Sequence, residues 1–253
     1  MKTLGIDIGS RNTKIVIFDQ SQAQIAFKAW QATEINPSSA VDKLIQAAAP
    51  SQEIQDIASS CVTGYGRKMY KRADAIKSEI VCHAEACKYL FPEVRTVIDI
   101  GGQDSKIISL NEDGEIIDFV MNDKCAAGTG RFLEMTAIKL QCDLPKLSQL
   151  AAESDTDIPL NSTCVVFAES EIIGLLATGN SVPNIARAVH KSIARRIYAQ
   201  MSPLQCQAPI VFTGGVAQSA DLVYCLANLL NTELLIPDDP EITGALGAAI
   251  LAK

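Results

Sequence analysis

The sequence predicts an α/β fold of two similar lobes with a cleft between them. The first observation is an internal repeat, because the segment 6–15 recurs without a gap at 98–107. The second is the order of elements: each half has a predicted β meander, then helical patterns, then a short strand ending in Thr-Gly. Such an order, found twice in one chain, indicates two lobes that each combine a sheet with helices.

The composition suits a compact protein whose partners are small molecules or proteins. The chain has 253 residues, 48% of them hydrophobic, which is enough to bury a core. A formal charge of -7 and an aromatic share of 5% argue against a nucleic-acid-binding surface. No apolar run reaches the roughly 20 residues that cross a bilayer, and Asp7 interrupts any apolar leader. We therefore expect no membrane partner and a cytoplasmic location, where most of the eight cysteines stay reduced.

Each copy of the repeat predicts a strand, a tight turn and a second strand. Ile6-Asp7-Ile8-Gly9 precedes an apolar run at 15–18, and Ile98-Asp99-Ile100-Gly101 precedes one at 107–110. Further turn residues and a third apolar stretch follow each hairpin, so both copies are predicted to be three-stranded meanders.

The last helix of the chain is expected to pack on the first lobe. Residues 242–252, rich in Ala and Leu, predict a closing helix that returns to the first lobe. The first lobe is therefore expected to comprise residues 1–93 plus 240–253. The second, longer lobe is expected to comprise residues 94–239.

Two facing Asp-x-Gly turns suit phosphate binding. Small residues let backbone N–H groups approach one anion, and each aspartate can hold a hydrated Mg²⁺. Lys14 adds a movable positive charge, and Gly214-Gly215 form a third loop that is expected to complete the site. One such turn alone would be an ordinary hairpin, whereas two in register favour a nucleotide cleft.

These loops resemble those of the actin, hexokinase and chaperone-type ATPase superfamily over essentially the whole chain. The resemblance implies a duplicated ribonuclease-H-like fold with ATP or ADP and Mg²⁺ bound between lobes that open and close. It also implies that Asp7 and Asp99 hold the water shell of the metal, while Gln103 and Asp104 orient the attacking water. The implied nucleotide contacts are Gly9, Ser10, Arg11, Asn12, Thr13, Lys14, Gly101, Gly102, Gln103, Gly214, Gly215, Val216, Ala217 and Gln218.

Cys125 and Cys164 differ in setting from the other cysteines. Cys125 follows a polar turn and precedes 126–140, which is predicted to be helical apart from two glycines. Cys164 follows the cap-type residues 161–163 and precedes a helical stretch at 165–177. Both thiols are therefore expected at helix N-termini, where free N–H groups favour a negatively charged cluster. A pair of packed thiols is the plainer alternative, although a twofold dimer would supply the four thiolates of an iron–sulfur cluster.

The sequence segments around these cysteines resemble those of the activator component of (R)-2-hydroxyacyl-CoA dehydratases, a family related to the ATPase subunits of benzoyl-CoA reductase. They are Asn-Asp-Lys-Cys-Ala-Ala-Gly-Thr-Gly-Arg-Phe at 122–132 and Ser-Thr-Cys-Val-Val-Phe-Ala-Glu-Ser-Glu at 162–171, with supporting matches at 63–67, 82–84 and 213–218. The resemblance implies a homodimer with one 4Fe-4S cluster, held by Cys125 and Cys164 of both chains. Ferredoxin or flavodoxin would reduce the cluster, and a partner dehydratase or reductase would receive single electrons.

The remaining cysteines and the histidines are expected to be structural. Cys82, His83 and Cys87 share one predicted helix at spacings that do not converge on zinc, and His190 is expected on a helix face. Two other functions of the superfamily stay open. One is a small-molecule kinase, although no insertion supplies a substrate pocket. The other is a nonenzymatic ATP-binding switch in which the cysteines are only packed.

Overall fold

Two five-stranded mixed sheets form the framework of the molecule in the computed structural model, which describes residues 1–51, 54, 56–161 and 164–252. Ser162 and Thr163, part of the predicted cap before Cys164, lie outside the described residues. The strands are β1 (Lys2–Ile8), β2 (Asn12–Asp19), β3 (Gln24–Ala32), β4 (Ile57–Thr63), β5 (Ala75–Ile76), β6 (Thr96–Ile100), β7 (Ser105–Leu110), β8 (Ile116–Asn122), β9 (Ile210–Thr213) and β10 (Leu234–Leu235). The α-helices are α1 (Pro37–Ala48), α2 (Glu79–Leu90), α3 (Gly130–Lys139), α4 (Leu144–Ala152), α5 (Val165–Ala177), α6 (Val182–Met201), α7 (Ala220–Leu230) and α8 (Thr243–Leu251).

The two sheets repeat the same topology. Their strand orders are β3-β2-β1-β4-β5 and β8-β7-β6-β9-β10, with an antiparallel meander joined to parallel strands in each. The register places Asp7 opposite Lys14 and Asp99 opposite Lys106, so the repeated sequence has the same place in both sheets. The predicted meanders and the α/β class are confirmed.

Helix α8 packs against β1, β2 and β4 of the first sheet and against α2. Its sequence, TGALGAAIL, offers small side chains, and every residue from Thr243 to Ile250 is buried. The contact with β1 is close, since a Cβ atom on Gly5 would lie 1.9 Å from the carbonyl oxygen of Ala245. This packing fixes β1, and therefore the position of Asp7 at its end. The expected boundaries at 93/94 and 239/240 stay predictions.

The second sheet carries the larger core. Helices α3 to α7 pack around it, and α6 buries Ile185, Val189, Ile193 and Ile197 at helical spacing. No helix among the described residues is long and apolar enough to cross a membrane.

The segment after Cys125 differs from the predicted helix. Residues 126–128 form a 3₁₀ turn, Thr129 is extended with φ -139° and ψ 171°, and α3 begins only at Gly130. The hydroxyl of Thr129 donates to the carbonyl of Ala126 at 2.8 Å, which closes the short turn and competes with a continuous helix. Helix α5, in contrast, begins directly after Cys164 as predicted.

We predict that Gly5→Ala lowers the free energy of unfolding by about 3 kcal/mol, because the added methyl group must push α8 away from β1. Urea-induced unfolding of the nucleotide-free protein measures the change. The matched control is Gly215→Ala, whose Cβ would meet nothing within 4 Å and which should change the same free energy by less than about 0.5 kcal/mol. Equal values for the two variants would show that the α8 contact is not tight.

Candidate functional site

A cleft of about 350 Å³ lies between the two sheets, at the turns of both repeated hairpins. Its size suits a nucleotide, since small-molecule sites span roughly 300–1,000 Å³. Among the residues implied by the sequence, the cleft is lined by Asp7, Gly9, Arg11, Asn12, Lys14, Asp99, Gly101, Gly102, Asp104, Gly214, Gly215, Val216 and Gln218.

Four implied residues do not line this cleft: Ser10, Thr13, Gln103 and Ala217. Thr13 is fully buried, and its hydroxyl lies 2.9 Å from the hydroxyl of Thr33. Gln103 is exposed at the tip of the second turn. The side chain of Gln103 is therefore poorly placed to orient a water molecule inside the cleft.

Each hairpin pairs its aspartate with its lysine across the two strands. Lys14 Nζ lies 2.9 Å from Asp7 Oδ2, and Lys106 Nζ lies 3.1 Å from Asp99 Oδ2. Burial disfavours the charged form of Lys14, but the attraction of Asp7 outweighs it and raises the pKa of Lys14. The ammonium group of Lys14 therefore remains charged inside the cleft.

Lys106 is held by more carboxylates than Lys14. It is 2% exposed and also pairs with Asp104 at 2.6 Å and with Glu79 at 3.0 Å. Burial opposes its charge, but the three carboxylates raise the pKa of Lys106 well above its ordinary value. Burial likewise opposes ionisation of Asp99, yet His83 and Lys106 lower the pKa of Asp99. The second turn thus holds Lys106 and Asp99 as a buried ion pair.

Glu79 and His83 line the cleft although the sequence motifs did not point to them as site residues. Both lie on α2, four residues apart and therefore on one helix face. His83 Nε2 lies 3.6 Å from Asp99 Oδ2, while Nδ1 lies 3.0 Å from the hydroxyl of Thr243. From the sequence His83 was considered only as a zinc ligand, and the i, i+4 spacing was the available signal that it shares a helix face with Glu79.

The third loop approaches the second turn through Gly214 and leaves space beside Gly215. Gly214 has φ +87°, and a Cβ there would lie 2.3 Å from the carbonyl oxygen of Ile100. Gly64 repeats this geometry in the first half, with φ +92° and a would-be Cβ 2.4 Å from the carbonyl oxygen of Ile8. At Gly215 a Cβ would meet nothing within 4 Å. Gly214 therefore allows the positive φ and the close approach of the loop to β6. The missing side chain of Gly215 leaves space in the cleft.

Helix α3 is joined directly to the second turn. The N–H groups of Gly130 and Arg131 donate to the carbonyls of Gly101 and Gly102, each at 2.9 Å. Glu134, one turn further along α3, accepts from Nε of Arg11 of the first turn at 3.0 Å. The start of α3 therefore contacts the turns of both repeated hairpins.

Cys125 and Cys164 are half-buried and each precedes a helical segment. The side chain of Asn122 holds Cys125 in its turn, accepting from its N–H at 3.1 Å and donating to its carbonyl at 2.7 Å. Arg196 of α6 donates to the sulfur of Cys125 at 3.8 Å. The 3₁₀ turn after Cys125 and helix α5 after Cys164 both pack against α3 and α6.

Other cysteines are less suited to ligation. Burial raises the pKa of Cys82 and that of Cys225 to about 12, so both thiols stay protonated. Within the described ranges, no three His, Cys, Asp or Glu side chains converge on a metal position.

The sequence profile of the BadF/BadG/BcrA/BcrD ATPase family matches residues 4–252. The chain belongs to this family. The activator of lactoyl-CoA dehydratase from Anaerotignum propionicum is 43% identical, covering 100% of this chain and 97% of that protein. The chain is thus a family ATPase similar over its full length to a dehydratase activator, and the suspected relationship is confirmed.

Two solved structures of dehydratase activators superimpose closely. The activator of 2-hydroxyisocaproyl-CoA dehydratase from Clostridium difficile, solved with bound ADPNP, has a TM-score of 0.92 and 40% identity, covering 100% of this chain and 94% of that one. Component A of the Acidaminococcus fermentans (R)-2-hydroxyglutaryl-CoA dehydratase has a TM-score of 0.91 and 36% identity, with coverages of 100% and 97%. The predicted duplicated, actin-like two-lobed fold is confirmed.

We predict that Gly215→Val raises the Kd for ATP at least tenfold, because the branched side chain would fill space that the cleft leaves for a nucleotide. Isothermal titration calorimetry measures the Kd. The melting temperature of the nucleotide-free variant should match that of the parent protein, since no protein atom lies near the new Cβ. An unchanged Kd in a folded Gly215→Val variant would remove the third loop from the nucleotide site.

Proposed function

We propose that the chain is an ATP-dependent activator that passes single electrons to a 2-hydroxyacyl-CoA dehydratase or a related reductase. The observation that carries the proposal is the direct hydrogen bonding of the second phosphate turn to the start of α3, five residues after Cys125. The family supports the ATPase half of the function, and the names of the relatives support the activator half.

The charges of the cleft fit a nucleotide that arrives with a divalent cation. The lining side chains include six carboxylates and three basic groups, so a polyphosphate alone would be repelled. Bound Mg²⁺ would supply the positive charge that neutralises the phosphates during hydrolysis. Asp7 and Asp99, at equivalent strand ends, would hold its water shell, while Lys14 and Lys106 would contact the phosphate oxygens.

Asp104 is the residue that we assign to positioning the attacking water. It lines the cleft, and its carboxylate is fixed by Lys106 at 2.6 Å. A carboxylate held in one orientation can accept a hydrogen bond from water and align that water with the phosphate. Asn12 occupies the equivalent position in the first turn, so one turn alone offers a carboxylate there.

Cys125 and Cys164 fit the ligand set of a 4Fe-4S cluster shared by two chains. Their sulfur atoms are soft donors, they are half-buried, and the segments they begin contact the same two helices. When bound, the cluster would supply a one-electron carrier that ferredoxin or flavodoxin could reduce.

The surface beside Cys164 favours a homodimer. Val166 and Phe167, in the first turn of α5, are 69% and 70% exposed, and Ile173 two turns later is 51% exposed. Exposed apolar side chains next to a ligand are what a twofold contact between cluster-bearing faces requires. The second copy would thereby bury this face of α5 and complete the thiolate set.

Nucleotide binding would reach Cys125 through α3. Movement of the second turn displaces Gly101 and Gly102, whose carbonyls hold the first two N–H groups of α3. The pair between Arg11 and Glu134 adds a contact from the first turn to the same helix. Closing of the cleft around a nucleotide therefore shifts the element that follows Cys125.

We predict that Asp7→Asn lowers the ATPase rate by roughly 100-fold, because the amide cannot replace the charge that orients the metal water shell. The rate is measured anaerobically by phosphate release, together with iron content. The matched control is Asp19→Asn at the opposite end of the same hairpin, which should leave the rate unchanged. Full activity in the Asp7→Asn variant would contradict the assignment of this turn.

We predict that Cys125→Ser and Cys164→Ser each remove the cluster, because one substitution deletes two of its four ligands in a dimer. The parent protein, purified anaerobically, should contain about four irons per two chains. Cys142→Ser, a control at an equally half-buried cysteine, should keep the iron, as should variants at Cys61, Cys206 and Cys225. Full iron content after Cys164→Ser, or four irons on a monomer, would refute the shared cluster and leave a kinase or an ATP-binding switch.

A further inference from the structure

The cleft continues beyond the third loop into the second lobe, where its lining changes character. Leu133 of α3, Pro145 of α4 and Val216 of the third loop give it apolar walls. At this end the polar side chains of His190 and Ser219 also line the cleft. Apolar walls with few polar groups suit a flat aromatic ring that has hydrogen-bonding groups only at its edge.

His190 is buried and fixed in this part of the cleft. It is 1% exposed, and its Nδ1 lies 2.6 Å from Asp221 Oδ2, whose side chain is also 1% exposed. Arg187 Nη2 forms an ion pair with Asp221 Oδ1 at 2.8 Å. The N–H groups of Arg187 are not aimed at this oxygen, so Oδ1 accepts no hydrogen bond from them. The Arg187 guanidinium in turn lies over the ring of Tyr224, 5.0 Å from its centre. His190 was expected on a helix face, and the structure places that face inward, against the cleft.

Asp221 determines which nitrogen of His190 carries the proton. A carboxylate only accepts hydrogen bonds, so Nδ1 must donate to it, and when the ring carries one proton Nε2 is left as an acceptor. The hydroxyl of Ser219 lies 3.5 Å from Nε2, a long contact, while it accepts from the N–H of Leu222 at 3.4 Å. Nε2 is therefore a buried acceptor beside the cleft with a weak protein partner.

We propose that His190 Nε2 accepts a hydrogen bond from the exocyclic amino group of the nucleotide base and so selects adenine. The inference rests on the proposed ATP-binding function and adds a specificity-determining residue to it. The base, rather than the ribose, belongs at this end because its faces are apolar. Gln218 and Glu241, which are bonded to each other at 2.9 Å on the lining of the cleft, offer the polar surface that ribose hydroxyls need.

The test compares ATP with purine riboside triphosphate, which has hydrogen in place of the amino group. Calorimetric titration of the anaerobically purified protein should give a Kd for the analogue that is roughly tenfold higher than for ATP. In His190→Phe, which keeps a flat ring but has no acceptor, ATP should weaken to the level of the analogue and the two Kd values should become equal. In Tyr198→Phe, a control on the exposed face of the same helix, the tenfold ratio should remain.

Equal affinity of the parent protein for the two triphosphates would overturn the inference without the need for any variant. A tenfold ratio retained in His190→Phe would also overturn it. If His190→Phe instead abolished discrimination between ATP and 2′-deoxy-ATP, the residue would contact the ribose and the proposal would be wrong. Failure of the ATP-binding half of the proposed function looks different, since the parent protein would then bind neither triphosphate.

Discussion

The buried pairing of an aspartate with a lysine in each repeated hairpin is the interaction on which the site depends. The strand register sets Asp7 opposite Lys14 and Asp99 opposite Lys106, so each charge enters the interior together with its partner. Desolvating either group alone would cost several kcal/mol, and removal of one partner would leave an uncompensated buried charge. The hairpins therefore place two carboxylates and two ammonium groups in the same cleft, and pairing offsets much of the free energy of desolvating each charge.

The surrounding packing holds these pairs in place by close backbone approach rather than by large side chains. Helix α8 lies against β1 at Gly5, and the third loop lies against the end of β6 at Gly214. Thr243, at the start of α8, connects the two regions, because its hydroxyl is 2.6 Å from that of Thr213 and 3.0 Å from Nδ1 of His83. A short polar chain thus joins the third loop, the closing helix and the helix that carries Glu79.

The sequence predicted the features that are local and repeated, and it missed those that depend on helix orientation. The turns around Asp7 and Asp99 were found because strand register and turn chemistry are written in neighbouring residues. His83 and His190 were correctly expected on helices, but nothing in the sequence alone determines which helix face a fold turns towards its cleft. A position in the motif does not decide whether a side chain points inward: Gln103 is exposed at the tip of its turn, and its role in orienting water stays a prediction. The 3₁₀ turn after Cys125 was missed because the Thr129 hydroxyl bond competes locally with helix continuation.

Helix α6 gives the cleft a second physical connection to Cys125, besides α3. His190 lines the base end of the cleft, and Arg196, less than two helical turns further on, donates to the sulfur of Cys125. A helix of 20 residues packed on its apolar face moves as a rigid unit, so its two contacts cannot shift independently. On the proposed function, the phosphate end of the cleft would act on the segment after Cys125 through α3, and the base end would act on the Cys125 sulfur through α6. A complete nucleotide would thus act on Cys125 through both α3 and α6, whereas a phosphate group alone would act through α3 only.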